Sequence, residues 1–219
     1  MLYRFNIDKI KQMLLNQIGN MYFIGDHDEK LISKYMLSVL ARVENNFMKN
    51  PNKYYSRIED GEKKVYFDPL HTCQWLIFLY YLANTINKSE NSIEARELCD
   101  KIYGISKMMS GADIYYEVEL PDIFRCDHPV GAVIGRGKFG NGFAFIQGCT
   151  IGNNKGIYPI IGENVTMYSN SKIIGNCKIG NNVIVSANTY IKDQDVPDNV
   201  IVYGASPNLT FKEIKEPSV

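Results

Sequence analysis

Apolar residues recur along this chain with two different periods, and the change between them divides it. In the first part, Phe5, Ile7, Ile10, Met13, Leu14 and Ile18 fall near a 3.6-residue period. Leu31, Ile32, Tyr35, Met36, Val39, Leu40 and Val43 repeat it more strongly, so two amphipathic helices are expected. Residues 51–65 are polar around Pro51 and Asp60-Gly61 and read as a loop. A third helix is expected after Asp68-Pro69, because Asp caps free N–H groups and Pro suits a first helical turn. Its Trp75, Leu76, Phe78, Leu79 and Leu82 are apolar almost all round, which marks a buried helix. A fourth runs from about Ser92 to Met109 and stops at Ser110-Gly111.

Beyond residue 133 the period is six. Val133, Phe139, Phe145 and Ile151 lead four hexads; after an insertion, Ile161, Met167, Ile173, Ile179, Val185 and Ile191 lead six more. The fifth place of the later hexads is compact: Val165, Ser171, Cys177, Val183 and Thr189. Six residues are too few for a helical solenoid and out of phase for a heptad coiled coil. They suit short strands joined by sharp corners, each strand sending an apolar side chain to the coil axis, with coils stacked about 4.8 Å apart. The predicted class is α+β: a helical domain over 1–111, a parallel β-helix over 112–205 and a tail over 206–219.

Composition changes this picture in one respect. Of 17 glycines, 12 lie between Gly131 and Gly204, where corners and close backbone contacts would need them. Lys+Arg and Asp+Glu are balanced at 24 each, so no broad electrostatic grip on nucleic acid is expected. The longest apolar run, about Cys73 to Ala83, falls short of the roughly 20 residues a membrane span needs. No signal-peptide core is evident near Met1, and five scattered cysteines suggest no disulfide framework, so a reduced, cytoplasmic protein is expected. No cysteine pair or histidine cluster suggests a metal site.

The segment Asp113-Ile114, then Cys126-Asp127-His128-Pro129-Val130-Gly131, then Phe145-Ile146-Gln147-Gly148-Cys149-Thr150-Ile151-Gly152 resembles the hexapeptide-repeat acyltransferases, and within them the serine O-acetyltransferase-like group. The Asp-to-His spacing agrees as well. The resemblance implies a left-handed β-helix of three to four triangular coils, assembled as a homotrimer that in some relatives pairs into a dimer of trimers. It implies acetyl-CoA as acyl donor, no metal, and direct transfer to a hydroxyl. His128 matches the general base and Asp113 the carboxylate that orients it; read alone, His128 could equally cap a turn before Pro129. A backbone N–H near Gly152-Asn153 matches the oxyanion position. Asp127 is either an acceptor contact or a solvated turn carboxylate. Ser169 and Ala187 fall where the family places small residues against CoA, though the repeat itself also asks for small residues there. Lys212 is either a CoA-phosphate contact or a solvated lysine.

One departure bears on the acceptor. Where the family carries Arg-His-Pro, this chain has Ile157-Tyr158-Pro159, which removes the cation that would hold a substrate carboxylate. A sugar or polysaccharide-precursor hydroxyl is therefore expected in preference to free serine, with Tyr158 beside it. Asp68 is either the cap of the third helix or a further acceptor contact. Gly135-Arg136-Gly137-Lys138-Phe139-Gly140 spells a dinucleotide-binding fingerprint, but a hexad strand follows it where a helix would be required. The rival class is a non-catalytic trimeric scaffold or binding module.

Overall fold

A computed structural model describes residues 1–214. Its contacts divide the chain into two compact units, one of residues 1–110 with 114–117, the other of residues 111–113 with 118 onward.

The first unit contains four helices: α1 (Ile7–Gly19), α2 (Asp26–Lys49), α3 (Thr72–Ser89) and α4 (Ile93–Ser110). Each forms where the 3.6-residue pattern places it. In α3, residues from Cys73 to Asn84 are buried without a break. Trp75 stacks on Phe78 with ring centroids 4.9 Å apart, and Phe78 meets Phe67 at 5.6 Å. The indole N–H of Trp75 donates to Gln17 Oε1 at 3.0 Å, joining α1 to α3. Lys101 on α4 meets the buried carboxylate of Asp28 on α2 at 2.8 Å.

Two local expectations change. The cap of α3 is His71, whose Nδ1 accepts from the Gln74 N–H at 3.4 Å; Asp68 stands one turn earlier, its Oδ1 accepting from the Leu70 N–H at 2.9 Å. The polar stretch 51–65 is not a loop throughout. Ser56–Glu59 and Glu62–Phe67 pair antiparallel across Asp60-Gly61, and Leu2–Tyr3 adds a parallel third strand against Tyr66 and Phe67. Asp60 and Gly61 have φ of 53° and 79°, as a two-residue primed turn requires.

Residues 114–117 are held by the first unit. Tyr116 is buried, its hydroxyl donates to Asp100 at 2.8 Å, and its carbonyl accepts from Asn84 Nδ2 at 2.9 Å. Burial, then its hydrogen bonds with Tyr115 and Asp100, push the Tyr116 phenol well up from its ordinary range.

The second unit is a left-handed parallel β-helix of about four coils. Its first face stacks Phe124–Cys126, Phe143–Phe145, Thr166–Met167, Ile184–Val185 and the start of Val200–Ala205. The second stacks Val133–Ile134, Thr150–Gly152, Lys172–Ile174 and Tyr190–Lys192. The third stacks Lys138–Phe139, Ile160–Ile161 and Lys178–Ile179, with Val196 bridged to Ile179. The hexad leaders from Phe145 onward are buried, as are Val165, Ser171, Cys177, Val183 and Thr189. The two earlier leaders differ: Phe139 is half-buried, and Val133 is 43% exposed, with Ile134 taking the inward place beneath Ile151.

Glycine serves two ends here. At the corner between the first and second faces, Gly131, Gly148, Asn170 and Asn188 follow one another in the left-handed conformation, with φ of 73°, 66°, 60° and 61°. At the corner after the third face, the backbones approach closely: a Cβ on Gly140 would stand 2.6 Å from Gly162, and one on Gly162 would stand 2.6 Å from the Gly180 carbonyl oxygen. The glycines of the apparent dinucleotide fingerprint thus serve coil stacking. Gly135, at its start, would drive a Cβ to 2.7 Å from the Ile151 carbonyl oxygen.

Residues 206–214 are more than a tail. Asn208–Glu213 pairs antiparallel with Val200–Ala205, covering the edge that the last coil would otherwise expose.

Candidate functional site

The β-helix is regular enough that its irregularities can be measured by counting. On the first face Cys126 pairs with Phe145, and on the second Val133 pairs with Thr150. The first coil therefore takes seven residues around a corner that the next coil turns in five. Later coils also take five, from Met167 to Lys172 and from Val185 to Tyr190. The two additional residues form an outward bulge at 127–130, and His128 lies in it.

The local backbone explains how the bulge is held. The Asp127 N–H donates to the Phe145 carbonyl at 3.1 Å, the last ladder bond before the chain departs. His128 has φ of 48°, a left-handed conformation uncommon for a residue with a Cβ. The Val130 N–H closes a tight turn on the His128 carbonyl at 2.8 Å, and the Ala132 N–H returns to Pro129 at 3.0 Å. Pro129 is buried while His128 and Val130 are exposed, so the turn projects the imidazole outward. Among the described residues, no hydrogen bond to the His128 ring is found.

Asp113 lies alongside. Its N–H donates to the Ala132 carbonyl at 2.8 Å, its carbonyl accepts from the Ile134 N–H at 2.9 Å, and Gly111 accepts from the Gly131 N–H at 2.8 Å. Three residues of the Asp113 segment thus run beside the strand that leaves the His128 bulge. Arg125 Nε and Asp127 Oδ2 are 3.0 Å apart, an ion pair at the rim of the same bulge.

The stacking register groups some of the remaining candidates and separates others. Two residues beyond Cys126, Phe145, Met167 and Val185 stand His128, Gln147, Ser169 and Ala187. Gln147, Ser169 and Ala187 form one column along the corner, at about 4.8 Å per coil. In the first coil the equivalent backbone bond, from the Gly148 N–H, reaches Val130, so the column stands on the bulge and His128 is one of its inserted residues. The Asn170 N–H donates to the Gln147 carbonyl at 2.9 Å and the Asn188 N–H to the Ser169 carbonyl at 2.8 Å, which fixes the column from the backbone. Gly152 pairs with Ile174 on the second face and leads into the following corner, so it and Asn153 are at a different corner from His128.

Beyond Gly152 the β-helix departs from its repeat again. Ile151 pairs with Ile173 and Ile160 with Lys178, so nine residues span what the next coil covers in five. The extra chain forms a small hairpin: Asn154 and Ile157 exchange two backbone bonds of 3.0 Å around Lys155-Gly156, whose φ values are 51° and 80°. Asn154 Nδ2 donates to Asp193 Oδ2 at 2.5 Å and ties this hairpin to the last coil. Tyr158 follows it and is 41% exposed. Lys212 is exposed on the closing strand opposite Ile201. Asp68 belongs to the helical unit, where its Oδ2 pairs with Arg4 at 3.0 Å.

Sequence reading found His128 by motif but not the bulge that carries it, because a bulge is defined only by its pairing partners. Gln147 was visible only as a letter in a strand motif. Its place one coil above the His128 bulge becomes legible once Cys126 is known to pair with Phe145. Among the described residues, no group of three or more His, Cys, Asp and Glu side chains is placed to hold a metal ion, and no helix is long and apolar enough to cross a membrane.

Comparison with known proteins agrees with this architecture. Residues 158–193 match the family model for the bacterial transferase hexapeptide (six repeats). The serine acetyltransferase of Staphylococcus epidermidis is 30% identical over 142 residues, which cover 63% of this chain and 64% of that protein. The chain thus aligns with less than two thirds of the length of this relative. The solved structure of the Neisseria gonorrhoeae serine acetyltransferase superposes with a TM-score of 0.68 at 21% identity, covering 86% of this chain and 72% of that one. A serine acetyltransferase solved in complex with CoA superposes with a TM-score of 0.69 at 17% identity, covering 91% and 83%. In its repeat, its fold and the sequence of nearly two thirds of its length, this chain resembles the hexapeptide-repeat serine acetyltransferases.

Proposed function

We propose that the protein is an acetyl-CoA-dependent O-acetyltransferase that acts by direct transfer, with His128 as general base. The observation that carries this reading is the bulge. A corner built identically in three other coils is lengthened by two residues only where His128 stands, and the lengthening projects its imidazole at the end of the Ser169–Ala187 column. Imidazole is the side chain whose ordinary titration lies nearest neutrality, as proton transfer from a hydroxyl requires.

Acetyl-CoA supplies the activated thioester. His128 takes the acceptor's hydroxyl proton as the oxygen bonds to the thioester carbonyl carbon. Collapse of the tetrahedral species breaks the carbon–sulfur bond, and the departing thiolate takes the proton back from the imidazolium. Asp113 orients the imidazole in this reading, and its neighbouring strand supports that role. Ser169 and Ala187 leave room for the CoA arm, and Lys212 takes a phosphate.

The N–H groups at Gly152-Asn153 stabilise the oxyanion in this reading. They stand at a different corner of the same chain, which is one reason to assign a homotrimer in which subunits complete each other's sites. Asp127 and Tyr158 face the acceptor. Ile157-Tyr158-Pro159 offers no cation for a carboxylate, which favours a sugar or polysaccharide-precursor hydroxyl over free serine.

The test is an acceptor panel of L-serine and nucleotide-linked sugars with acetyl-CoA, scored by mass spectrometry for acetylated product. Acetylated sugar is expected. Efficient turnover of serine contradicts the acceptor assignment, and no product with any acceptor favours the scaffold reading.

A further inference from the structure

Above the His128 bulge, the residue between it and the small side chains has no role yet. From the His128 bulge upward the column runs Gln147, Ser169, Ala187, and its side chains shrink from carboxamide to hydroxyl to methyl. An acyl-thioester arm lying along Ser169 and Ala187 would present its carbonyl at Gln147 before it reached His128. The acceptor would then approach from the other side of the imidazole. Gln147 is exposed, and its carboxamide makes no hydrogen bond among the described residues. Its backbone is nevertheless held: the Gln147 carbonyl accepts from the Asn170 N–H at 2.9 Å, and Gly148 next to it donates to the Val130 carbonyl within the bulge at 3.0 Å. The side chain thus rises from a fixed point one coil above the bulge that carries His128.

We infer that Gln147 is a further catalytic residue, donating a hydrogen bond from Nε2 to the reacting carbonyl oxygen as negative charge develops there. This rests on the acyl-transfer reading above. In the step itself, the acceptor oxygen forms its bond to carbon and the carbonyl π electrons move onto the oxygen. The Gln147 N–H stabilises that charge without transferring its proton. When the carbonyl re-forms, the carbon–sulfur bond breaks and the thiolate is protonated by His128. A neutral donor suits the position, because a carboxamide strengthens its bond as the oxygen becomes anionic and leaves the protonation of His128 unaltered.

The experiment compares Gln147→Met, which keeps length and removes the donor, with Gln147→Glu, which also adds negative charge. Release of CoA thiol is measured with acetyl-CoA and the acceptor that the panel identifies, alongside wild type and His128→Ala. Loss of one such donor should lower kcat about 100-fold or more, with KM for acetyl-CoA within about threefold of wild type. Gln147→Glu should be the slower of the two. The thermal midpoint of both should stay at the wild-type value, since the side chain is exposed. A Gln147→Met enzyme with wild-type kcat, beside an inactive His128→Ala, overturns the assignment of Gln147 alone. Absence of thiol release by the wild-type protein with every acceptor overturns the acyl-transfer reading, and this inference with it.

Discussion

The helical unit and the β-helix bury apolar residues in opposite ways. In α3 almost the whole circumference is buried, and each contact, such as Phe78 against Trp75 and Phe67, occurs once. In the β-helix the same two places of the hexad, the leader and the fifth, are buried from coil to coil, and each leader has counterparts in the neighbouring coils. The repetition supplies an internal reference that the helices lack. Against it, two departures stand out: the bulge at 127–130 and the hairpin at 153–159. Both hold candidate site residues. Where an architecture repeats, chemistry shows itself as a break in the count; where it does not, the same kind of residue is hidden among unique contacts.

Mutations can break this comparison or sharpen it. The largest effect on stability is expected from Phe78→Ala, which empties a fully buried site among aromatic rings and should cost about 3–5 kcal/mol, read by chemical denaturation. Gly162→Ala should cost about 1–3 kcal/mol by the same measurement, because its Cβ would press on the backbone of the next coil rather than leave a void. If Gly162→Ala proved the more damaging, close coil stacking rather than core filling would dominate stability. The smallest effect concerns pH. The backbone N–H of Asn176, then the side chain of Asn154, hold the Asp193 carboxyl below its usual range. A depressed carboxyl stabilises the fold above its unfolded value, about 3.9, and loses that contribution as pH falls through the lower folded value. Thermal melts between pH 6 and 2.5 should therefore fall less steeply for Asp193→Asn than for wild type; identical slopes would remove Asp193 from the account.

Much of the fold was legible in the sequence, for reasons that differ by region. The four helices follow from apolar spacing, and the solenoid from ten phased leaders, because both patterns are local. The hairpin around Asp60-Gly61 was missed because its strands are stabilised by Leu2–Tyr3, a partner more than fifty residues away. The cap of α3 shifted from Asp68 to His71 because Asp68 is drawn to Leu70 and Arg4. Val133 misleads because the first coil runs from the inward Ile134 to Phe139 in five residues where a later coil runs from Ile173 to Ile179 in six, so a count of six back from Phe139 stops one residue early. At the site, motif residues such as His128 and Asp113 were readable. The Gln147–Ser169–Ala187 column above the His128 bulge was not, because it exists only in the register between coils.

The most direct test of the central claim, that the bulged corner is where acyl transfer occurs, is the rate of CoA thiol release by His128→Ala against wild type, with folding verified by circular dichroism. A loss of about 100-fold or more with the fold intact is the predicted result; a rate equal to wild type would contradict it.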